Sequence, residues 1–194
     1  EETAKGTGCE VGGVCGKTEG VAKLQDLLIY SLKGIAEIVV KGKLDVKELG
    51  PVNHEVLKGL FMTITNANFD AAAFETEIKK MLTLRKMLKA KVTAADWHDA
   101  VTFEVDSKEA MLHKAASVGV LATQNEDVRS LREMITYGLK GLAAYAHHAL
   151  NIGKENQDLY AFVYEALAAT LDDGLTADEL VALTLKTGQF GVAA

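Results

Sequence analysis

The chain has 194 residues, enough for one large domain or two small ones with a proper hydrophobic core. Hydrophobic residues make up 48% and charged residues 25%, the composition of an ordinary globular protein. The net charge of −6 argues against a nucleic-acid-binding protein, because no basic stripe offsets the acidity. No apolar run reaches the roughly 18 residues that a membrane crossing requires. Two cysteines do not make a disulfide framework, which indicates a cytoplasmic protein.

A single proline and long runs of helical periodicity predict an all-α chain, since almost no stretch alternates with period two. Residues 1–17 are glycine-rich and lack periodicity, which predicts a loop that contains both cysteines. Thr18, Asn53, Asn125 and Thr176 stand where helices should begin, and such residues are preferred N-caps. The predicted helices run over about 18–41, 53–65, 71–91, 125–150, 157–171 and 176–185, with a short one over 107–114.

The two long helices resemble each other in sequence. The letters LKGIA at 32–36 recur 107 residues later as LKGLA at 139–143, with a leucine and a tyrosine at matching positions upstream. Each copy is followed by a helix, a break containing aspartate, and another helix. We predict two three-helix bundles related by an internal duplication, over 18–91 and 124–194, with 92–123 as a connecting segment. A chance match in alanine-rich helical sequence is the alternative.

The stretch CEVGGVCGKTEG, residues 9–20, allows three interpretations. Gly16-Lys17-Thr18 resembles the end of a phosphate-binding loop, but Val11 stands where the first glycine belongs and no strand precedes it. The second interpretation is a flexible arm with two free thiols. The third is a metal site, because a glycine-flanked loop can wrap around a bulky inorganic group and the following helix dipole favours thiolates. Cys9 and Cys15 alone complete neither a zinc site nor an iron–sulfur cluster, which commonly needs four cysteines.

Four long stretches carry a resemblance to a known family. They are EETAKGTGCEVGGVCGKTEGVAKLQDLLIYSLKGIA (1–36), GLFMTITNANFD (59–70), SVGVLATQNEDVRSLRE (117–133) and GLKGLAAYAHHA (138–149). Together they closely resemble the N-terminal part of the hybrid cluster proteins, also called hydroxylamine reductases or prismane proteins. The resemblance covers the chain apart from a weaker stretch at 92–116.

The resemblance implies that Cys9 and Cys15 are two of the four cysteines of a [4Fe-4S] cluster. In the family the other two form a Cys-x-x-Cys pair immediately before the residues that match Glu1-Glu2-Thr3, so the cluster is expected to be incomplete or absent in this chain. The family continues beyond TLKTGQFGV into two α/β domains, which hold the ligands of a hybrid iron–sulfur–oxygen cluster. The implied catalytic residues therefore all lie outside this chain.

The same resemblance implies a function as the electron-entry part of an enzyme that reduces hydroxylamine to ammonia, or nitric oxide. Its expected partners are the downstream α/β domains and an electron donor such as a small redox protein, with no nucleic acid and no membrane. Two alternatives are a helical structural or interaction module without a cofactor and a relative of carbon monoxide dehydrogenase. The spacing of Cys9 and Cys15 and the LQDLLI context favour the hydroxylamine reductase family.

Other polar residues favour structural roles. His147 and His148 are adjacent, and neighbouring residues on a helix point about 100° apart, which disfavours chelation of one ion. Asn66, Asn68 and Asp70 are expected to cap a helix. Three further histidines have no ligand partner at recognisable spacing: His54, His98 and His113. A cluster at the start of the long second-half helix either forms a salt-bridged face or packs against other domains: Arg129, Arg132 and Glu133.

Overall fold

The computed structural model describes residues 15–94 and 96–193, and every regular element among them is a helix. The α-helices are α1 (Glu19–Lys41), α2 (Gly50–Met62), α3 (Ala71–Lys89), α4 (Asp99–Thr102), α5 (Lys108–Ala115), α6 (Glu126–Asn151), α7 (Gln157–Ala169) and α8 (Ala177–Ala193). The all-α prediction is confirmed. Within the described ranges, none of these helices combines the length and apolar character that a membrane crossing needs.

Side-chain caps fix most of the helix starts, as predicted. Thr18, Asp70 and Asn125 accept hydrogen bonds from backbone N–H groups in the first turns of α1, α3 and α6. At the start of α8, Glu179 N donates to Thr176 Oγ1 and Thr176 N donates to Glu179 Oε2, at 3.3 and 2.8 Å. This reciprocal pair is a capping box, which satisfies two N–H groups that the helix itself leaves without acceptors.

The predicted start of α2 is wrong. The helix begins at Gly50, and Pro51 occupies its first turn, where a missing N–H costs nothing. Asn53 lies inside the helix and is buried. Its amide donates to the carbonyl of Val46 at 2.8 Å and accepts from the hydroxyl of Tyr164 at 2.8 Å. A tertiary contact with α7 therefore uses the amide that the local pattern assigned to a cap.

Helix α1 is the central helix of the fold. It packs most extensively against α3 and α7, and it also contacts α2, α4 and α5. Most of its residues are buried, which places it in the core. The apolar residues that recur along it at helical spacing are all buried: Val21, Leu24, Leu28, Ile35 and Ile38.

The packing crosses the predicted boundary between the two bundles. The first and third helices of each half pack together, as α1 with α3 and α6 with α8, whereas α7 packs on α1 and α2 packs on α6. One hydrophobic core therefore includes residues of both halves. The contacts of α1 with α3 and α7 thus correspond to those of α6 with α8 and α2, which is what an internal duplication would produce. The duplication and the boundaries at 18–91, 92–123 and 124–194 stay predictions.

The segment after α3 packs closely against α1, and side chains of both α1 and α3 hold it with hydrogen bonds. Arg85 is 1% exposed, and its guanidinium donates to the carbonyl of Ala100 at 2.8 Å and to the carbonyl of Phe103. Tyr30 of α1 donates to Asp99 Oδ2 at 2.6 Å. The backbone comes so close to α1 that a Cβ at Gly34 would lie 2.1 Å from the carbonyl oxygen of Ala100. Only glycine fits this contact without a shift of the backbone.

We expect Gly34→Ala to lower the free energy of unfolding by about 1–3 kcal/mol, because overpacking a rigid backbone contact has a cost of this size. Gly141 stands at the matching position of α6, and a Cβ there meets nothing within 4 Å. Gly141→Ala is therefore the control, and it should stabilise the chain by up to about 1 kcal/mol through helix propensity. Urea unfolding followed by circular dichroism measures both, and equal effects would contradict the close contact.

Candidate functional site

Cys15 lies at the entrance to α1 and is partly buried. Gly16 has φ +93°, in the left-handed region that favours glycine, and so the chain turns sharply between the thiol and the N-cap of α1. The N-terminus of a helix favours negative charge, including a thiolate. Cys9 lies outside the described residues, so the predicted approach of Cys9 to Cys15 stays a prediction.

Lys17 places a buried positive charge beside this thiol. It is 3% exposed, and its Nζ donates to Gln25 Oε1 at 2.5 Å and to the carbonyl of Ile64 at 3.3 Å. The rings of Phe69 and Phe74 lie 6.0 Å from the same Nζ atom, within the range of cation–π attraction. Through the hydrogen bond to Ile64, Lys17 links the residues just before α1 to the chain just after α2.

A cavity of about 490 Å³ opens beside Cys15. One wall comes from Lys17, ahead of α1, and from the first three turns of α1, including Asp26, and the other comes from the chain between 115 and 124. The volume lies in the range of small-molecule and cofactor sites. Its lining is mixed, because a thiol, two lysines and a carboxylate stand opposite alanine, valine and leucine side chains of the chain between 115 and 122.

The described residues match an iron–sulfur cluster in ligand type but not in ligand number. Cys15 supplies one thiol at the edge of the cavity, and clusters of this type are commonly held by four cysteines. Within 15–94 and 96–193 there is no group of three or more His, Cys, Asp or Glu side chains that could hold a metal ion. A complete cluster would therefore need Cys9 and further thiolates.

Four charged side chains of α1 and α6 influence one another electrostatically, and three of them are only partly buried: Asp26, Lys33 and Glu133. Asp26 and Lys33 come from α1, and Glu133 and Lys140 come from α6. Burial is the largest influence on the Asp26 carboxyl and, together with the nearby Glu133 carboxylate, raises the pKa of Asp26 to about 7. Burial lowers the pKa of Lys33. Asp26, Lys33 and Glu133 also line a second, small cavity of about 30 Å³.

The sequence patterns did not single out this cluster, although a signal for it was present. Asp26 and Lys33 are seven residues apart on α1, and Glu133 and Lys140 stand 107 residues later. This is the offset of the predicted duplication. The predicted duplication would therefore place an acid and a lysine at equivalent positions of both long helices.

The histidines have structural contacts. His147 and His148 place their rings 5.3 and 5.6 Å from the ring of Phe61. His54 Nε2 lies 3.1 Å from Glu155 Oε2. None belongs to a metal-binding group among the described residues. The remaining two also fit this interpretation, since one caps α4 and the other is exposed: His98 and His113.

The other polar residues considered in the sequence analysis also make structural hydrogen bonds. Asn68 accepts a hydrogen bond from the backbone of Asp70, which in turn caps α3. Arg132 donates to the carbonyl of Asp172 and to Asp173 Oδ1, both at 2.9 Å. Arg129 donates to the carbonyl of Thr123 at 3.2 Å. The two arginines therefore hold the segment before α6 and the turn between α7 and α8, and they do not form an open charged face.

Residues 3–194 match the sequence profile described as the Prismane/CO dehydrogenase family. The chain belongs to this family. It is 65% identical over 192 residues to a protein of Acetivibrio thermocellus named hydroxylamine reductase, across 99% of this chain and 35% of that protein. Proteins of the same name from Desulfitobacterium hafniense and Clostridium perfringens are 53% and 50% identical, each across 99% of this chain and 36% of the relative. The chain thus spans about a third of the length of these curated relatives.

These comparisons confirm the resemblance seen in the sequence. Family membership implies iron–sulfur clusters in the parent protein. The type of cluster and its ligands belong to the proposal below.

We expect Lys17→Met to destabilise the chain by about 1–3 kcal/mol, because buried acceptors at Gln25 and Ile64 lose their donor. Lys23 also lines the large cavity, but its ammonium forms a partly exposed pair with Glu19 four residues away. Lys23→Met is the matched control and should change stability by less than about 1 kcal/mol. Chemical denaturation measures both, and a Lys17→Met variant as stable as the control would show that the buried ammonium contributes nothing.

Proposed function

We propose that this chain is the helical, electron-entry part of a hydroxylamine reductase, which reduces hydroxylamine to ammonia through iron–sulfur clusters. The observation that carries the proposal is the 65% identity to a protein named hydroxylamine reductase across 99% of this chain. The position of Cys15, at a helix N-terminus and at the edge of the large cavity, supports it. Nitric oxide is the second candidate substrate of the parent enzyme.

In this proposal Cys9 and Cys15 are two of four ligands of a [4Fe-4S] cluster, and a Cys-x-x-Cys pair ahead of Glu1 supplies the others. A bound cluster supplies one-electron transfer. The residues of this chain hold and tune that site. Gly16 turns the chain so that Cys15 faces the cavity edge, and the α1 dipole together with Lys17 stabilises negative charge there.

The chemistry at the substrate belongs to other parts of the parent enzyme. The relatives are almost three times as long as this chain, which leaves room for the two α/β domains and a hybrid iron–sulfur–oxygen cluster. No residue of this chain is assigned a catalytic role. The partners are then those downstream domains and a small redox protein as electron donor, in the cytoplasm.

Two other functions are weaker. A cofactor-free helical module would leave the thiol, the buried lysine and the large cavity without a role. A carbon monoxide dehydrogenase relative fits the name of the family. The curated relatives reported above all carry the name hydroxylamine reductase, which favours the first proposal.

Restoring a Cys-x-x-Cys pair ahead of Glu1 should give a protein that binds about four iron atoms after anaerobic reconstitution, because the ligand set is then complete. Iron and acid-labile sulfide analysis and the visible absorption of the brown protein measure this. Cys9→Ser and Cys15→Ser should each lose the cluster or make it labile.

His147→Ala in the restored protein is the control, since this residue packs on Phe61 and is not assigned as a ligand. It should bind as much iron as the parent. If the restored protein binds no iron, or binds it equally well with Cys9 and Cys15 both replaced by serine, the cluster assignment is wrong.

A further inference from the structure

We propose that one face of α6 is an interaction surface for the polypeptide that follows α8 in the parent protein. That polypeptide runs back along α6 and places its backbone on Gly141, as the segment after α3 does on Gly34 of α1. The proposal rests on the proposed function in one respect, namely that further domains follow α8 in the same polypeptide. It depends neither on the cluster nor on the substrate.

The outer face of α6 carries no Asp, Glu, Lys or Arg. Its members recur at spacings of three and four residues, which places them on one side of the helix: Ser130, Met134, Tyr137, Gly141, Tyr145 and His148. Met134 and Tyr137 are each 60% exposed, and Tyr145 is 65% exposed. A helix face that meets water is normally rich in charged residues, whereas a row of exposed apolar side chains marks an interaction site.

The offset of 107 residues between the two long helices maps the outer face of α6 onto a covered face of α1. The counterparts of Met134, Gly141 and Tyr145 are buried, and they are, in the same order: Leu27, Gly34 and Ile38. The same offset joins Thr63 and Thr170, which end α2 and α7. Each donates from Oγ1 to the carbonyl three residues earlier at 2.7 Å. The offset therefore relates equivalent places in the fold and not only similar sequence.

The segment after α3 covers this face of α1 and runs in the opposite direction to the helix. In the last turn of α1, Lys41 donates to the carbonyl of Asp96 at 3.0 Å. Nearer the middle of α1, the ring of Tyr30 lies 5.5 Å from the ring of Phe103. Between these two contacts the segment passes over Gly34. The outer face of α6 has the same features as the α1 face, apart from the segment that covers it.

Helix α8 brings the chain to the outer face of α6. A Cβ at Gly138 would lie 2.6 Å from Thr187 Cγ2. One turn further along both helices, a Cβ at Gly191 would lie 3.9 Å from Leu142 Cδ2, so α6 and α8 run in the same direction. The C-terminal end of α8 therefore lies at the level of Tyr145 or beyond it. A chain that leaves this end has to run back along α6, which is the direction that the segment after α3 takes along α1.

Gly141 leaves room for a close backbone contact. A Cβ there meets nothing within 4 Å among the described residues, whereas a Cβ at Gly34 would lie 2.1 Å from a backbone carbonyl oxygen. Glycine weakens the interior of a helix, and it suits positions where another backbone approaches closely. In the parent protein the segment after α8 makes this approach. It also supplies an oxygen that accepts from the hydroxyl of Tyr137, as Asp99 accepts from Tyr30.

Hydroxyl-radical footprinting of the full-length parent protein and of the 194-residue chain measures whether this face is covered. In the 194-residue chain Met134 should be oxidised readily, because its side chain is exposed. In the full-length protein its reactivity should fall to that of Met111, which is fully buried. Met87 on α3 is the internal control, since it is 44% exposed and lies on another helix, and it should react alike in both proteins.

Photo-crosslinking in the full-length protein identifies what covers the face. With p-benzoylphenylalanine in place of Tyr137 or Tyr145, the captured peptides should follow α8 within a length similar to that of 92–116. Because the segment runs back along α6, the peptide captured from position 145 should lie nearer to α8 than the peptide captured from position 137. The same crosslinker in place of Met87 is the control and should capture neither peptide.

Gly141→Leu tests the backbone contact. In the full-length protein it should make Met134 reactive again, because the added side chain keeps the segment away. Ser130→Leu is the matched control, since its counterpart on α1, Lys23, pairs with Glu19 outside the covering segment, and it should leave Met134 protected. In the 194-residue chain Gly141→Leu should keep the circular dichroism of the parent sequence, which shows that the substitution itself is tolerated.

Three results would overturn the proposal. They are a Met134 as reactive in the full-length protein as in the 194-residue chain, capture of a peptide from a distant domain, and capture of a second copy of the chain. These measurements need neither iron nor turnover. A protein that binds no cluster can therefore still show the predicted crosslinks, and failure of the proposed function is distinguished from failure of this interface.

Discussion

The burial of α1 is the constraint on which the rest of the structure depends. This helix is covered by α3 on one side and α7 on another, with α2, α4 and α5 completing its surroundings. Its leucines and isoleucines are almost entirely inaccessible, and burying each such side chain is worth about 1.5–3 kcal/mol. Because α3 precedes and α7 follows the middle of the chain, α1 can be buried only when both halves fold together. The two predicted bundles therefore share one core.

A fixed α1 also determines where the charged groups lie. Its N-terminal end places Cys15 and Lys17 at the edge of the large cavity, and further along the helix Asp26 and Lys33 line a second, small cavity together with Glu133. The first location suits a group with negative charge, because a helix N-terminus and a buried ammonium meet there. At the second location two acids stand near two lysines. One rigid helix thus sets the spacing between the candidate cluster site and these charged residues.

Local features of this chain could be predicted from sequence, and non-local ones could not. Thr18, Asp70 and Asn125 cap helices because a cap needs only the next three residues. Asn53 was assigned wrongly, because its partner Tyr164 is 111 residues away. The end of α8 was also placed too early, since the helix continues to Ala193. The cavity at Cys15 and the small cavity lined by Asp26 and Glu133 depend on how α1, α6 and the chain after α5 pack, which no local pattern contains.

The central claim is that the entrance of α1 holds an iron–sulfur cluster in the parent protein. Anomalous X-ray scattering at the iron edge, from anaerobically grown crystals of the full-length protein, tests it most directly. The account predicts an iron peak at the edge of the large cavity, within bonding distance of the Cys9 and Cys15 sulfurs. Iron found only in other domains, with the Cys15 thiol free, would contradict it.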